Sequence, residues 1–232
     1  MIIGNGFLAH IFTHYKDSKD VILFASGVSN SLETNQIKFE RERKLLSQTL
    51  VTHWNKKFVY FGTCSIYDED VIKRPYVQHK ITMEKLVAKH PNYQIFRLPV
   101  IAGYSKNPYT LLNFLYNQIS TDSVFELWEN ATRNIVDIDF VKTVCSSFID
   151  QNLYLNSAIN IAAPEQSNLP SIIKVFEKIL DKKAYDIPIN KGCKYAIPIL
   201  ELLSIVNNEL VENYNMEDIL MKYFIDKEID IT

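Results

Sequence analysis

The chain has 232 residues, 47% of them hydrophobic and 22% charged, which suits one globular domain with a sizeable core. A formal net charge of -2 gives no footing for a nucleic-acid partner held by charge. No run approaches a membrane span, and the three scattered cysteines, Cys64, Cys145 and Cys193, lack metal-ligand spacing and read as reduced thiols of a cytosolic protein.

Met1-Ile2-Ile3 is a short apolar run that opens directly into the turn Gly4-Asn5-Gly6, with no signal peptide expected ahead of it. Leu8, Ile11, Phe12 and Tyr15 then recur at helical spacing, so the opening reads strand, tight turn, helix. Val21-Ile22-Leu23-Phe24 reads as a buried strand ending in Ala25-Ser26-Gly27. A helix is expected from about Leu32 to Trp54, with the charged stretch Lys38 to Lys44 as its solvated face. Phe58-Val59-Tyr60-Phe61 is the next strand. Pro75 stands where a helix begins, because its fixed φ and missing N–H suit that position, and this helix runs to about Lys89. Tyr93 to Leu98 forms a further strand, closed by Pro99. Strands alternating with helices imply a parallel sheet covered on both faces.

Three places carry chemistry. Gly4-x-Gly6-x-x-Ala9 lies between a strand and a helix, where glycines let the backbone turn and approach a pyrophosphate. An isolated match of this kind is equally a plain glycine-rich turn. Tyr76 and Lys80 are four apart and share a helix face, where an ammonium favours the phenolate. Tyr-x-x-x-Lys alone is common by chance, and His79 between them reads as a surface residue. Thr63 follows the Phe58–Phe61 strand, at the carboxyl end where open α/β sheets bind ligands, and Cys64 and Ser65 are equally plausible there by chemistry alone.

Taken in order, these segments resemble the extended short-chain dehydrogenase/reductases, the group of nucleotide-sugar epimerases, dehydratases and reductases. Val59-Tyr60-Phe61-Gly62-Thr63-Cys64-Ser65-Ile66-Tyr67 looks like the family's segment ending in the catalytic Ser/Thr. Tyr76-Val77-Gln78-His79-Lys80 continues toward Glu84 as the family's helix does. Phe96-Arg97-Leu98-Pro99, Arg133-Asn134-Ile135-Val136-Asp137 and Ala158-Ile159-Asn160-Ile161 are similar to later family segments, so the likeness runs from Met1 to about Leu180. The resemblance implies Tyr76 as general acid/base, Lys80 tuning it and touching the nicotinamide ribose, and Thr63 hydrogen-bonded to the reacting oxygen. It implies Gly4, Gly6, Phe7, Leu8, Ala25, Ser26, Gly27 and Lys80 against NAD or NADP, Ser65 and Arg133 against the substrate with Arg133 on the nucleotide phosphates, and no metal. A hydride would pass between the nicotinamide and a sugar carbon.

The chain departs from that pattern. Two strands that normally lie between the glycine turn and the Val21–Phe24 strand have no counterpart, a block of roughly forty residues, about one βαβ unit. One of them ends in the acid that holds the adenosine ribose. Asp17 and Asp20 precede the Val21–Phe24 strand and read as loop residues. The Met1–Ile3 strand becomes a sheet edge, and the adenine half of a dinucleotide loses its wall. The family's helix Asn that holds a relay water also has no match near Lys38 to Arg41.

The expectation is thus a single α/β domain, a Rossmann-like parallel sheet with helices on both faces, lacking two edge strands. Residues 1–105 and about 135–165 form its core. Residues 106–134 and 166–232 form a small substrate-binding lobe. The function implied is a cytoplasmic, NAD(P)-dependent enzyme acting on a nucleotide sugar in polysaccharide biosynthesis, for example a 4-keto-sugar reductase or an epimerase, as a possible homodimer paired through the Leu32 and Tyr76 helices. Two other readings stand beside it: a degenerate member that binds a nucleotide sugar or a protein without redox chemistry, and an isomerase that uses Tyr76 without a dinucleotide.

Overall fold

A computed structural model describes residues 1–206 and 214–227. Apolar runs form β1 (Ile2–Ile3), β2 (Val21–Phe24), β3 (Lys57–Thr63), β4 (Tyr93–Leu98) and β9 (Ser157–Asn160). Among the described residues these make one five-stranded sheet in the order β1-β2-β3-β4-β9, parallel throughout. Ile2 pairs with Leu23, Leu23 with Val59, and Ile95 with both Tyr60 and Ala158. No described strand lies beyond β1, which is the edge that the sequence leads one to expect.

Alternation along the strands divides the core in two. Ile22, Phe24, Phe58, Tyr60 and Ile95 face α2 (Gln36–Thr52) and α3 (Pro75–Val87), meeting Leu46, Leu50, Met83 and Val87. Val21, Leu23, Val59, Phe61, Phe96 and Leu98 face the other way. There they meet Phe12 and Tyr15, which follow α1 (Phe7–Ile11), and Val141, Val144 and Phe148 of α5 (Ile138–Asp150). Each buried aliphatic or aromatic side chain contributes about 1.5–3 kcal/mol, so both layers are needed to hold the sheet.

A third cluster lies off the carboxyl end of the sheet. It joins α4 (Leu111–Ser120), α6 (Leu169–Leu180) and the last helix, Met216–Phe224, through Leu112, Tyr116, Ile172, Phe176, Leu220 and Phe224. Short pairs brace it: β6 (Val124–Trp128) beside β11 (Tyr185–Ile189), and β7 (Thr132–Arg133) beside β10 (Ser167–Asn168). β5 (Val100–Ala102) pairs with β8 (Ile135–Asp137) and joins lobe to sheet.

Two local expectations change. The helix expected from Leu32 begins at Gln36, because the Asn35 side chain accepts from the Ile37 amide and caps it. The residues before it form a loop in which the Asn30 and Glu33 side chains accept backbone amides. The first helix is short: α1 spans five residues and passes into a 3₁₀ turn at Thr13–Tyr15.

Candidate active site

β3 ends at Thr63 in extended backbone, and the chain then coils into a 3₁₀ turn at Cys64–Tyr67. Thr63 caps this turn: its Oγ1 accepts from the Ser65 amide at 3.1 Å and donates to the Ser65 hydroxyl at 3.1 Å. Cys64, a chemical alternative to Thr63 on sequence grounds, turns inward with Sγ 3.3 Å from the Arg97 carbonyl. Burial pushes its thiol far above the ordinary range, which disfavours the thiolate.

Pro75 occupies the first turn of α3, as expected. Tyr76 and Lys80 rise from its inner face, both buried. Burial raises the Tyr76 phenol above its ordinary value, and Glu42 adds to the rise. Lys80 and the nearby Thr63 hydroxyl pull the other way. Thr63, Ser65, Tyr76 and Lys80 line one cleft of about 1740 Å³ between the carboxyl ends of the strands and the lobe. Gly6, Phe7, Leu8, Ala25, Gly27 and Arg133 line it too.

Gly4 and Ser26 stand behind that lining. Gly4 has φ +124°, and a Cβ there would lie 2.4 Å from the Ala25 carbonyl oxygen, so only glycine lets β1 turn this tightly against β2. Ser26 is covered by Arg41, whose guanidinium donates to the Ser26 carbonyl at 2.9 Å and hydroxyl at 3.2 Å. Gly6 differs: a Cβ added to it meets nothing within 4 Å. Its backbone faces open cleft, which fits the close approach of a pyrophosphate. The turn therefore suits the phosphate portion of a dinucleotide.

The structure corrects the sequence reading of the charged stretch in α2. Glu42 is completely buried, and His79, expected at the surface, is mostly buried beside it. The Glu42 carboxylate accepts from the Tyr60 hydroxyl at 2.7 Å and the Val28 amide at 2.6 Å, meets His79 Nε2 at 3.0 Å, and pairs with Lys80 Nζ at 3.4 Å. Lys80 also donates to the Tyr60 hydroxyl at 3.2 Å and the Phe61 carbonyl at 3.3 Å. Burial raises the Glu42 carboxyl, but Lys80, His79, Val28 and Tyr60 outweigh it and hold it at about 2. Gly27 leaves room for this pair, since a Cβ there would lie 2.6 Å from Lys80 Nζ.

Arg133, on β7, donates to the Thr132 carbonyl at 2.7 Å and meets the buried Asp68 at 3.4 Å. Tyr195 lies in the same corner, its phenol pushed up to about 12 by burial. Sequence reasoning missed Glu42, Asp68 and Tyr195. A signal for Glu42 was available: Phe39, Glu42, Leu46, Thr49 and Leu50 lie on one helical stripe, and all are buried. Asp68 and Tyr195 sit in irregular segments with no period to reveal them.

No protein-family model and no curated protein matches this chain. Solved structures do. UDP-glucose 4-epimerase from Thermus thermophilus, in complex with NAD, superposes with a TM-score of 0.71 at 13% identity, covering 95% of this chain and 81% of that one. UDP-glucuronic acid 4-epimerase from Bacillus cereus, also with NAD, gives 0.72 at 19% identity, over 96% and 75%. RMD from Pseudomonas aeruginosa, with NADPH, gives 0.71 at 11% identity, over 97% and 95%. At such identities the likeness is one of fold. The protein has the Rossmann-like fold of the extended short-chain dehydrogenase/reductases, and it is shorter than the two epimerases. No described helix is long and apolar enough to cross a membrane.

Proposed function

We propose that this chain is an NAD(P)-dependent oxidoreductase acting on a nucleotide sugar, with Thr63, Tyr76 and Lys80 as its catalytic set. The observation that carries the reading is that these three side chains, from two separate segments of sequence, line one cleft with the Gly6 turn. The neighbours in fold include two UDP-sugar 4-epimerases with NAD and an RMD structure with NADPH, which supports the same classes of ligand here.

The backbone at Gly4 to Gly6, with Phe7 and Leu8 behind it and Ala25 to Gly27 alongside, would hold the dinucleotide. When bound, the nicotinamide supplies or removes a hydride at a sugar carbon. Tyr76 exchanges a proton with the oxygen on that carbon, and Thr63 hydrogen-bonds the same oxygen and orients it. Lys80, anchored from below, sets the charge felt by the phenol. Arg133 and Ser65 face the substrate half of the cleft, where a guanidinium suits a diphosphate once Asp68 yields it. Reduction of a 4-keto sugar and epimerisation are both within this chemistry. A cytoplasmic site, a part in building polysaccharide and a homodimer through α2 and α3 go with the reading.

The competing reading, a binding protein without redox chemistry, is favoured by one observation: the described sheet ends at β1, on the side where the adenine half would lean. Calorimetric titration with NAD(H) and NADP(H), followed by turnover of keto-sugar nucleotides by wild type and Tyr76→Phe, separates the two. Micromolar binding, about -8 kcal/mol, with turnover lost in Tyr76→Phe and folding intact, is the expected result. No binding to any of the four overturns the oxidoreductase reading.

A further inference from the structure

Glu42 brings a negative charge into the protein against Lys80, one helical turn from the candidate acid/base. A carboxylate out of water is unfavourable unless donors and a counter-charge compensate it. Here every partner comes from the site's own support: Tyr60 from β3, Val28 from the loop after β2, and His79 and Lys80 from α3. The result is a neutral Glu42–Lys80 pair where a lone ammonium would otherwise sit. Lys80 has no carboxylate partner but Glu42 among the described residues, and its other contacts are the Tyr60 hydroxyl and the Phe61 carbonyl.

The polar groups that bear on Tyr76 are few. Lys80 reaches it from its own helix, Glu42 from α2, and Thr63 and Tyr60 from β3. The rest of its packing is apolar, with Val28, Phe39, Val71 and Val77 in the same cluster. Lys80 and Thr63 favour the phenolate, while Glu42 and the apolar wall favour the phenol. His79, stacked on Phe39 at 4.6 Å between ring centroids, holds the outer oxygen of Glu42.

We propose that Glu42 is a positioning residue, a built-in counter-ion that fixes Lys80 and keeps Tyr76 protonated, so that the site gives a proton to a carbonyl oxygen rather than taking one from a hydroxyl. This rests on the oxidoreductase reading and gives it a direction, ketone reduction. In that step the Tyr76 O–H bond breaks as an O–H bond forms on the substrate oxygen. The carbonyl carbon gains a hydride from the reduced dinucleotide, which leaves as NAD(P)+, and solvent returns a proton to Tyr76. Oxidation of an alcohol needs the phenolate, which a neutralised Lys80 does little to provide.

The test follows the Tyr76 phenol by NMR of ¹³C-tyrosine-labelled, ligand-free protein, with Tyr76→Phe to assign its resonance. Glu42→Gln leaves Lys80 uncompensated, and the phenol should then titrate about one pH unit lower than in wild type. The double variant Glu42→Gln/Lys80→Met holds no unpaired charge and should bring it back close to the wild-type position. Lys80→Met alone should move it up. A phenol that does not move in Glu42→Gln overturns the proposal. If that single variant fails to fold, an unmoved phenol in Lys80→Met does so instead. In the same Glu42→Gln protein, alcohol oxidation at neutral pH should rise about tenfold, in proportion to the phenolate. A protein that binds no dinucleotide overturns the ketone-reducing direction together with the oxidoreductase reading, whereas the NMR result judges Glu42 by itself.

Discussion

At the scale of single residues, Glu42 has a second consequence, for stability. Its carboxyl is held at about 2 in the folded protein against an ordinary 4.5. A depressed folded value means that the contribution is present above the unfolded value and is lost as pH falls from about 4.5 toward 2. Urea unfolding at pH 6 and pH 3 should therefore show the advantage of wild type over Glu42→Gln shrinking by about 2 kcal/mol. An advantage that stays constant would mean that folding does not depress the Glu42 carboxyl, and one that grows toward pH 3 would mean that Glu42 is neutral in the folded protein. From the sequence alone, Lys38-Phe39-Glu40-Arg41-Glu42-Arg43-Lys44 reads as a solvated face. The stripe shared with Phe39, Leu46 and Leu50 marks Glu42 as facing inward, but it cannot name the partner, Lys80, which lies about forty positions away along the chain.

At the scale of elements, the glycine turn separates two roles that one motif conflates. Gly4 bears a backbone requirement: with φ +124° and a Cβ position 2.4 Å from the Ala25 carbonyl oxygen, Gly4→Ala must both strain and clash. It should cost about 2 kcal/mol or more, read as a lowered melting temperature. Gly6 has φ -84° and open space around its Cβ position. Gly6→Ala should cost under about 1 kcal/mol of stability yet weaken dinucleotide binding at least tenfold, because the added methyl stands where a pyrophosphate would approach. Equal loss of stability in both variants would remove Gly6 from the ligand's path. α1, with five residues, is too short for an argument from its helix dipole, which a motif reading takes for granted. α3 is the opposite case, since Pro75 and the four-residue spacing of Tyr76 and Lys80 place both groups from local rules alone.

At the scale of the whole molecule, the sheet has four strands on one side of β1 and, among the described residues, none on the other. On the proposed oxidoreductase reading, a dinucleotide laid across Gly6 would meet protein on its nicotinamide half and no described strand on its adenine half. The adenosine should then add little affinity. Calorimetry with NADH and reduced nicotinamide mononucleotide should give dissociation constants within about tenfold of each other, about 1.4 kcal/mol. A hundredfold preference for NADH would show that the loop after β2 or a second subunit walls the adenine.

The amino-acid sequence by itself determined the α/β class, the parallel sheet, its missing edge and the places of Thr63, Tyr76 and Lys80. The class and the sheet follow from periodicity and from proline and glycine geometry, which act within a few residues of chain, while the missing edge and the choice of Thr63, Tyr76 and Lys80 rest on the resemblance to the extended short-chain dehydrogenase/reductases. Only the tertiary structure decided that Lys80 shares its charge with Glu42, that Arg133 meets Asp68 and that Cys64 turns inward. Ion pairs and burial depend on distances closed by folding across many residues, and a single chain read in order carries no record of them.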